Sequence, residues 1–80
     1  SDLKEKLLKM TKDDKNKEYL DQIYFTLAEM HINNNDTTSA IENYTLSTVN
    51  SIENNPQKAI SFLALGKIDF ERALYKSAKV

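Results

Sequence analysis

The 80-residue chain contains no cysteine and no tryptophan, and it has only one glycine and one proline. The absence of cysteine excludes disulfides, thiolate metal sites and cysteine nucleophiles, and it is compatible with cytoplasm and periplasm alike. The scarcity of glycine and proline argues against a meander or a sandwich, which needs turn-forming residues at regular intervals. Helices are therefore the expected secondary structure.

An excess of charge of one sign and long apolar runs are missing as well. The 11 basic residues and 12 acidic residues give a net charge of -1, so the chain has no cationic field that would draw nucleic acid. No apolar run approaches the roughly 18 residues that cross a bilayer. With 40% hydrophobic and 29% charged residues, the composition is typical of a packed fold. Neither nucleic-acid binding nor direct membrane insertion is expected.

Apolar spacing predicts several helices. Leu3, Leu7 and Met10 recur at three- and four-residue intervals and indicate a short amphipathic helix, followed by a polar connection over residues 12–17. From Glu18 to His31 the apolar residues again follow one helical face. The chain therefore opens with one short helix and continues with a longer one.

Helix boundaries follow from capping residues. Asn33–Asn35 can end a helix in the left-handed conformation, and Asp36 can cap the next helix with its carboxylate. Asn55-Pro56 combines an N-cap with a proline at the first helical position. We expect the helix that follows to run over about Gln57–Glu71, with a final helix beginning near Leu74.

The two halves of the chain share a motif. An aromatic residue, then Leu three positions later and a small residue after it, occurs twice at an offset of 38 residues, which also separates Ala40 from Ala78. An internal repeat of helical hairpins is the economical interpretation. The structural repeat positions are Tyr24, Leu27, Ala28, Ala40 and Tyr44 in the first hairpin and Phe62, Leu65, Gly66 and Ala78 in the second.

These residues resemble the tetratricopeptide repeat family, whose repeat has an aromatic, Leu and a small residue in its first helix, and Ala and an aromatic in its second. The resemblance implies an all-α fold in which antiparallel helical hairpins stack as a right-handed solenoid fragment. Residues 1–12 would be the second helix of a preceding repeat, 17–52 the first full hairpin, and 56–80 a second, truncated hairpin. Small residues at Ala28 and Ala40, and at Gly66 and Ala78, would let paired helices approach closely.

The family resemblance implies a binding function. Stacked hairpins display the first helix of each repeat along a concave surface, which favours a non-catalytic scaffold that presents this surface to a protein or peptide within a larger assembly. The alternatives are a structural spacer of a longer solenoid and the sensor part of a signalling regulator. The implied partner-binding residues are Gln22, Phe25, Glu29, Ile32, Asn33, Ile60, Leu63, Lys67, Phe70 and Glu71. Pairs of apolar residues, Phe25 with Leu63 and Ile32 with Phe70, would form a strip along it.

A narrower resemblance concerns the compartment. Long repeats with this texture are similar to the tetratricopeptide proteins of Bacteroidetes that are linked to gliding motility and protein secretion. Such a match implies the cell envelope or periplasm, and without it a cytoplasmic location. Because the hairpins at both ends look incomplete, self-association is also expected, with the helix carrying Leu3, Leu7 and Leu8 covering the terminal helix of another copy.

Catalysis and metal binding have weak sequence support. The single histidine, His31, lies on the apolar side of a predicted helix and is interpreted as a packing residue. The oxygen-rich segment Asn33–Ser39 lacks the alternating carboxylates and central glycine of a calcium loop. We expect no enzymatic activity, no cofactor and no metal.

Overall fold

A computed structural model describes residues 2–51 and 56–78, with side chains up to residue 76. The helices are α1 (Asp2–Met10), α2 (Leu20–Asn33), α3 (Thr37–Val49) and α4 (Pro56–Ala78), and a 3₁₀ helix (Asp14–Tyr19) lies between α1 and α2. No strand occurs among these residues. The predicted all-α class is therefore confirmed, and Pro56 begins a helix as predicted, whereas the predicted N-cap Asn55 lies outside the described residues.

The segment between α1 and α2 has more structure than the predicted polar connection. Asp13 caps the 3₁₀ helix, because its side chain accepts a hydrogen bond from the Lys15 backbone N–H at 3.0 Å. Asn16 ties the segment to the end of α1 by donating from its side chain to the Met10 carbonyl at 3.1 Å. The α-helical part of the following element therefore begins at Leu20 rather than at Glu18.

The turn between α2 and α3 is a Schellman motif built on Asn35. This residue has φ of 60°, the left-handed region that asparagine tolerates better than most side chains. The Asn35 N–H donates to the Ile32 carbonyl at 3.0 Å, and the Asp36 N–H donates to the His31 carbonyl at 2.9 Å. Asp36 then caps α3 by accepting from the Ser39 N–H at 3.1 Å. The predicted helix end and N-cap are both confirmed.

The core lies where α2, α3 and α4 meet. Ala28, Ala40, Tyr44 and Ile68 form one buried cluster. Half-buried side chains pack around it: Phe25, Ile32, Ile41, Ala64 and Leu65. Since Ala28 and Ala40 are both fully buried, α2 and α3 have no bulky side chain between them at this point. The α2–α3 hairpin is the most extensive interface, and α4 packs mainly on α3.

Helix α4 differs from the sequence expectation. It runs unbroken from Pro56 to Ala78, so the new helix predicted near Leu74 is wrong, and no second hairpin forms within residues 56–78. The reason is local, because the segment Glu71–Lys76 contains neither glycine, proline nor asparagine and is built mostly from helix-favouring residues.

The continuous helix also removes the predicted contact between Gly66 and Ala78. Twelve residues separate them on one helix, or about 18 Å. A Cβ added at Gly66 would meet nothing within 4 Å beyond the glycine's chain neighbours and its own helix backbone. The two sets of repeat positions thus differ in burial. Leu27, Ala28, Ala40 and Tyr44 are buried and Tyr24 is half-buried, whereas Phe62 and Gly66 are exposed, Leu65 is half-buried, and the Ala78 side chain lies outside the described part.

Candidate binding groove

A groove opens between α2 and α4, with α3 beneath it. It encloses about 230 Å³ and is lined by Glu29, Ile32, Tyr44, Ala64, Lys67, Ile68 and Glu71. The lining residues of α4 recur at spacings of three and four, which places them on one side of the helix. The groove therefore exists because α4 packs across α3 beside α2 and leaves a gap between α2 and α4.

Tyr44 forms the floor of the groove. Its side chain is buried, and its ring packs edge-on against Phe25 with 5.9 Å between ring centroids and 67° between planes, a favourable aromatic geometry. Burial raises the pKa of the Tyr44 phenol to about 12, and the Glu29 carboxylate contributes to the increase through its negative charge and a hydrogen bond. The phenol therefore stays neutral at physiological pH and holds a proton toward the carboxylate at the rim.

The rim of the groove carries charges of both signs. Lys67 and Glu71 on α4 form an i,i+4 pair with 3.9 Å between Nζ and Oε1, and both side chains are well exposed. Such exposed pairs contribute little to folding stability, since water screens them. Their charged groups can therefore re-pair with a bound partner at small cost to the fold.

A second hollow of about 340 Å³ continues the groove toward the C-terminal end of α4. The two hollows share Ile32, Ile68 and Glu71, and the second adds Thr37, Arg72 and Tyr75. The shared residues place the two hollows side by side, and we call them together the channel; its aliphatic residues are Ile32, Ala64 and Ile68, and most of the others are polar. Its shape and chemistry suit a chain segment that offers apolar side chains to the centre and charged or polar groups to the rim.

The predicted partner-binding residues divide into two groups. Glu29, Ile32, Lys67 and Glu71 line the channel, and Phe25 packs beside its floor. The remaining predicted residues do not line it: Gln22, Asn33, Ile60, Leu63 and Phe70.

The predicted apolar strip is not assembled, because its α4 members point elsewhere. At about 100° per residue, Leu63 and Phe70 lie roughly 140° and 160° around α4 from the buried Ile68. They are therefore on the outer side of the helix, where they are 73% and 64% exposed. Phe25 and Ile32, their predicted partners, pack against the core on the other side of α4.

A buried polar cluster beside the core was missed by sequence reasoning. Ser47 and Ser61 are almost fully buried, with 3.4 Å between their hydroxyl oxygens. The Ser47 hydroxyl donates to the Asp21 carbonyl at 2.8 Å, and the Ser51 hydroxyl lies 3.4 Å from Oδ2 of Asp21. The available signal was spacing, because Ser47 follows Tyr44 by three positions on the buried side of α3.

His31 is buried at the hairpin turn and does not line the channel. Its Nδ1 lies 3.6 Å from Oδ2 of Asp36, the residue that caps α3. The imidazole therefore packs within the turn, as the sequence interpretation proposed. Over residues 2–51 and 56–78, no three His, Asp or Glu side chains come together in a group that could hold a metal ion.

Comparison with known proteins gives no relative: no protein-family model, curated protein or solved structure matches this chain. Among the described helices, none is both long enough and apolar enough to cross a membrane.

Proposed function

We propose that the chain is a non-catalytic protein-interaction scaffold that binds a peptide or protein segment in the channel between α2 and α4. The observation that carries the proposal is the channel itself: Glu29 and Ile32 from one helix face Lys67 and Glu71 from the other across the Tyr44 floor. These four were expected on the concave face of a tetratricopeptide-like repeat. The proposal includes the stacking of such hairpins into a tetratricopeptide-like solenoid.

The chemistry of the channel supports noncovalent recognition. Its aliphatic centre offers apolar contact, worth roughly 25 cal/mol per Å² of buried apolar surface. Its carboxylates, the Lys67 ammonium and the Arg72 guanidinium offer ion pairs that select a partner and its orientation more than they add affinity. A segment lying along both hollows would contact α2, α3 and α4 at once. We infer that binding, rather than a reaction, is the role of this surface.

A structural spacer is the second candidate, and the outer side of α4 favours it. Phe62, Leu63 and Phe70 are exposed there, as expected for a helix that packs against the next unit of a longer array. In that case the channel would have no partner of its own. The two candidates therefore differ in whether a peptide can occupy the channel.

The test is a selection from a random peptide library displayed on phage, followed by NMR mapping of a selected peptide on the isotope-labelled chain. We expect the peptide to shift the amide signals of Ile32, Ala64 and Ile68, and Glu29→Lys to weaken binding at least tenfold. Glu42→Lys is the matched control, because Glu42 is exposed on α3 and does not line the channel. If selected peptides shift signals elsewhere, or none is enriched over the bare support, the binding proposal is wrong.

A further inference from the structure

The outer side of α4 carries a continuous apolar surface. We call it the Gly66 face and define it by Ala59, Phe62, Leu63, Gly66, Phe70, Ala73 and Leu74. All seven residues are exposed, and the four large side chains are exposed by 56% at Phe62, 73% at Leu63, 64% at Phe70 and 55% at Leu74. The buried side of the same helix, marked by Ser61 and Ile68, points the other way.

The size of the Gly66 face is that of an interaction surface. Aromatic side chains can bury about 150 to 250 Å² each. The two phenylalanines and two leucines of this face, all more than half exposed, therefore leave roughly 400 Å² of apolar surface in one patch. Patches of this size on a single chain commonly mark a binding surface. Two such patches pressed together, with their rims, would bury roughly 1,000 Å², the lower limit for a specific interface.

Four of the six residues that surround Gly66 on this face are placed symmetrically about it, and Leu63 and Leu74 are not. Phe62 and Phe70 each lie four positions from it, and Ala59 and Ala73 each lie seven positions from it. If two α4 helices pack antiparallel with Gly66 at the crossing, Phe62 of one copy meets Phe70 of the other, and Ala59 meets Ala73. A two-fold interface requires this kind of self-complementary surface, because each copy contributes the same patch.

Gly66 itself has no explanation within the described chain. A glycine inside a helix costs about 1 kcal/mol relative to alanine, and a Cβ at this position would have open space around it. Its missing side chain is useful only if something from outside approaches the backbone closely. At a helix crossing, two facing glycines let the axes come together until the flanking Phe62 and Phe70 rings interlock.

We propose that the Gly66 face is covered by the same face of a second copy of this chain, with the two α4 helices antiparallel and Gly66 at the two-fold axis. Lys67 lies at the rim of this contact beside its own Glu71, which moderates the repulsion between the two Lys67 side chains. Lys67 also lines the channel, but the other α4 residues that line its first hollow, Ala64, Ile68 and Glu71, lie on the opposite side of the helix, so the dimer leaves the channel open. The proposal therefore does not depend on the channel's function.

Position 66 allows a test that separates association from folding. Gly66→Lys improves helix propensity and meets no neighbour inside the chain, yet it brings two positive charges together at the proposed axis. By sedimentation velocity at micromolar concentrations, we expect the wild-type chain to dimerise and Gly66→Lys to associate at least tenfold more weakly, with its helical circular dichroism unchanged. Thr45→Lys is the matched control on an exposed position of α3 and should dimerise normally.

Charge complementation tests whether position 66 faces its own copy. Gly66→Glu alone should also associate more weakly than wild type, whereas an equimolar mixture of Gly66→Lys and Gly66→Glu should associate more tightly than either variant alone, because the like-charge repulsion is gone although both side chains still hold the helices apart. If α1 of a second copy covered the face instead, each variant would meet the same α1 surface and mixing would restore nothing. A mixture that associates no more tightly than the single variants, or a wild-type chain that is monomeric up to millimolar concentration, overturns the proposal.

The relative orientation of the two α4 helices can be tested with one distance between spin labels. A single introduced cysteine can carry the label, because the chain contains no cysteine of its own. A spin label on Lys76→Cys lies ten residues beyond Gly66, so an antiparallel pair places the two labels about 30 Å apart. A parallel pair would place them about 10 Å apart. We expect pulsed electron paramagnetic resonance to give the longer distance. The shorter distance would contradict the antiparallel arrangement.

Discussion

The small residues of the two related motifs, Ala28 and Gly66, should respond in opposite ways to added side-chain volume. Ala28 is fully buried in the cluster with Ala40, Tyr44 and Ile68, so Ala28→Leu inserts three carbons into filled space. Overpacking of this kind costs about 1 to 3 kcal/mol. Gly66 has open space around its Cβ position, so Gly66→Ala should stabilise the chain by about 0.8 to 1 kcal/mol through helix propensity alone.

The assay is urea denaturation followed by far-UV circular dichroism, at a concentration where sedimentation shows only monomer, so that association adds nothing. For a domain of this size, each kcal/mol should also shift the thermal midpoint by about 4 to 8 °C. We expect a lower midpoint for Ala28→Leu and a higher one for Gly66→Ala. A lower midpoint for Gly66→Ala would show that position 66 is packed within the monomer, and an unchanged midpoint for Ala28→Leu would refute the close α2–α3 contact.

Three further predictions concern the hairpin turn and the channel floor. Asn35→Val should lower the free energy of unfolding by about 1 to 2 kcal/mol in urea denaturation, because a β-branched side chain is disfavoured in the left-handed region that asparagine tolerates. Asn35→Gly should be neutral or stabilising. Hydrogen bonding from Ser39 lowers the pKa of Asp36. The Asp36 carboxylate therefore stabilises the fold above the ordinary aspartate pKa of about 3.9, and this stabilisation is lost as pH falls through the lowered pKa. Asp36→Ala should accordingly show a shallower loss of stability in acid. Because the pKa of Tyr44 is raised to about 12, its neutral phenol stabilises the fold below pH of about 10, and this stabilisation is lost as pH rises through 12. The difference between the ultraviolet titrations of the wild type and Tyr44→Phe should show a midpoint at that pH.

Local chemistry was predictable from the sequence, and tertiary placement was less so. The turn at Asn35 and Asp36 could be derived because its hydrogen bonds join residues at most five positions apart. The break expected near Leu74 came from the repeat analogy, although the residues before it favour a continuous helix. There, local propensity outweighs the analogy.

The buried serines and the channel depend on how α4 lies across α3. Ser47 and Ser61 are far apart in sequence, and either could have faced solvent without violating any helical pattern. Likewise, Lys67 and Glu71 join the channel because Ile68 sets the rotation of α4, which places Leu63 and Phe70 outside. A periodic apolar stripe shows which residues share a side of a helix, whereas α4 is apolar on two sides and its rotation had to come from packing.

The short turn between α2 and α3 also has a kinetic consequence. Only Asn34–Asp36 separate the two helices, so forming the hairpin closes a very small loop at little entropic cost, and contacts between residues near in sequence form quickly. The hairpin should therefore be the folding nucleus, with α4 docking afterwards through Ile68. In stopped-flow refolding, Ala40→Gly should slow folding, whereas Ile68→Val should mainly accelerate unfolding. Slower folding for Ile68→Val and mainly faster unfolding for Ala40→Gly would instead mean that α4 forms its contacts before the α2–α3 hairpin does.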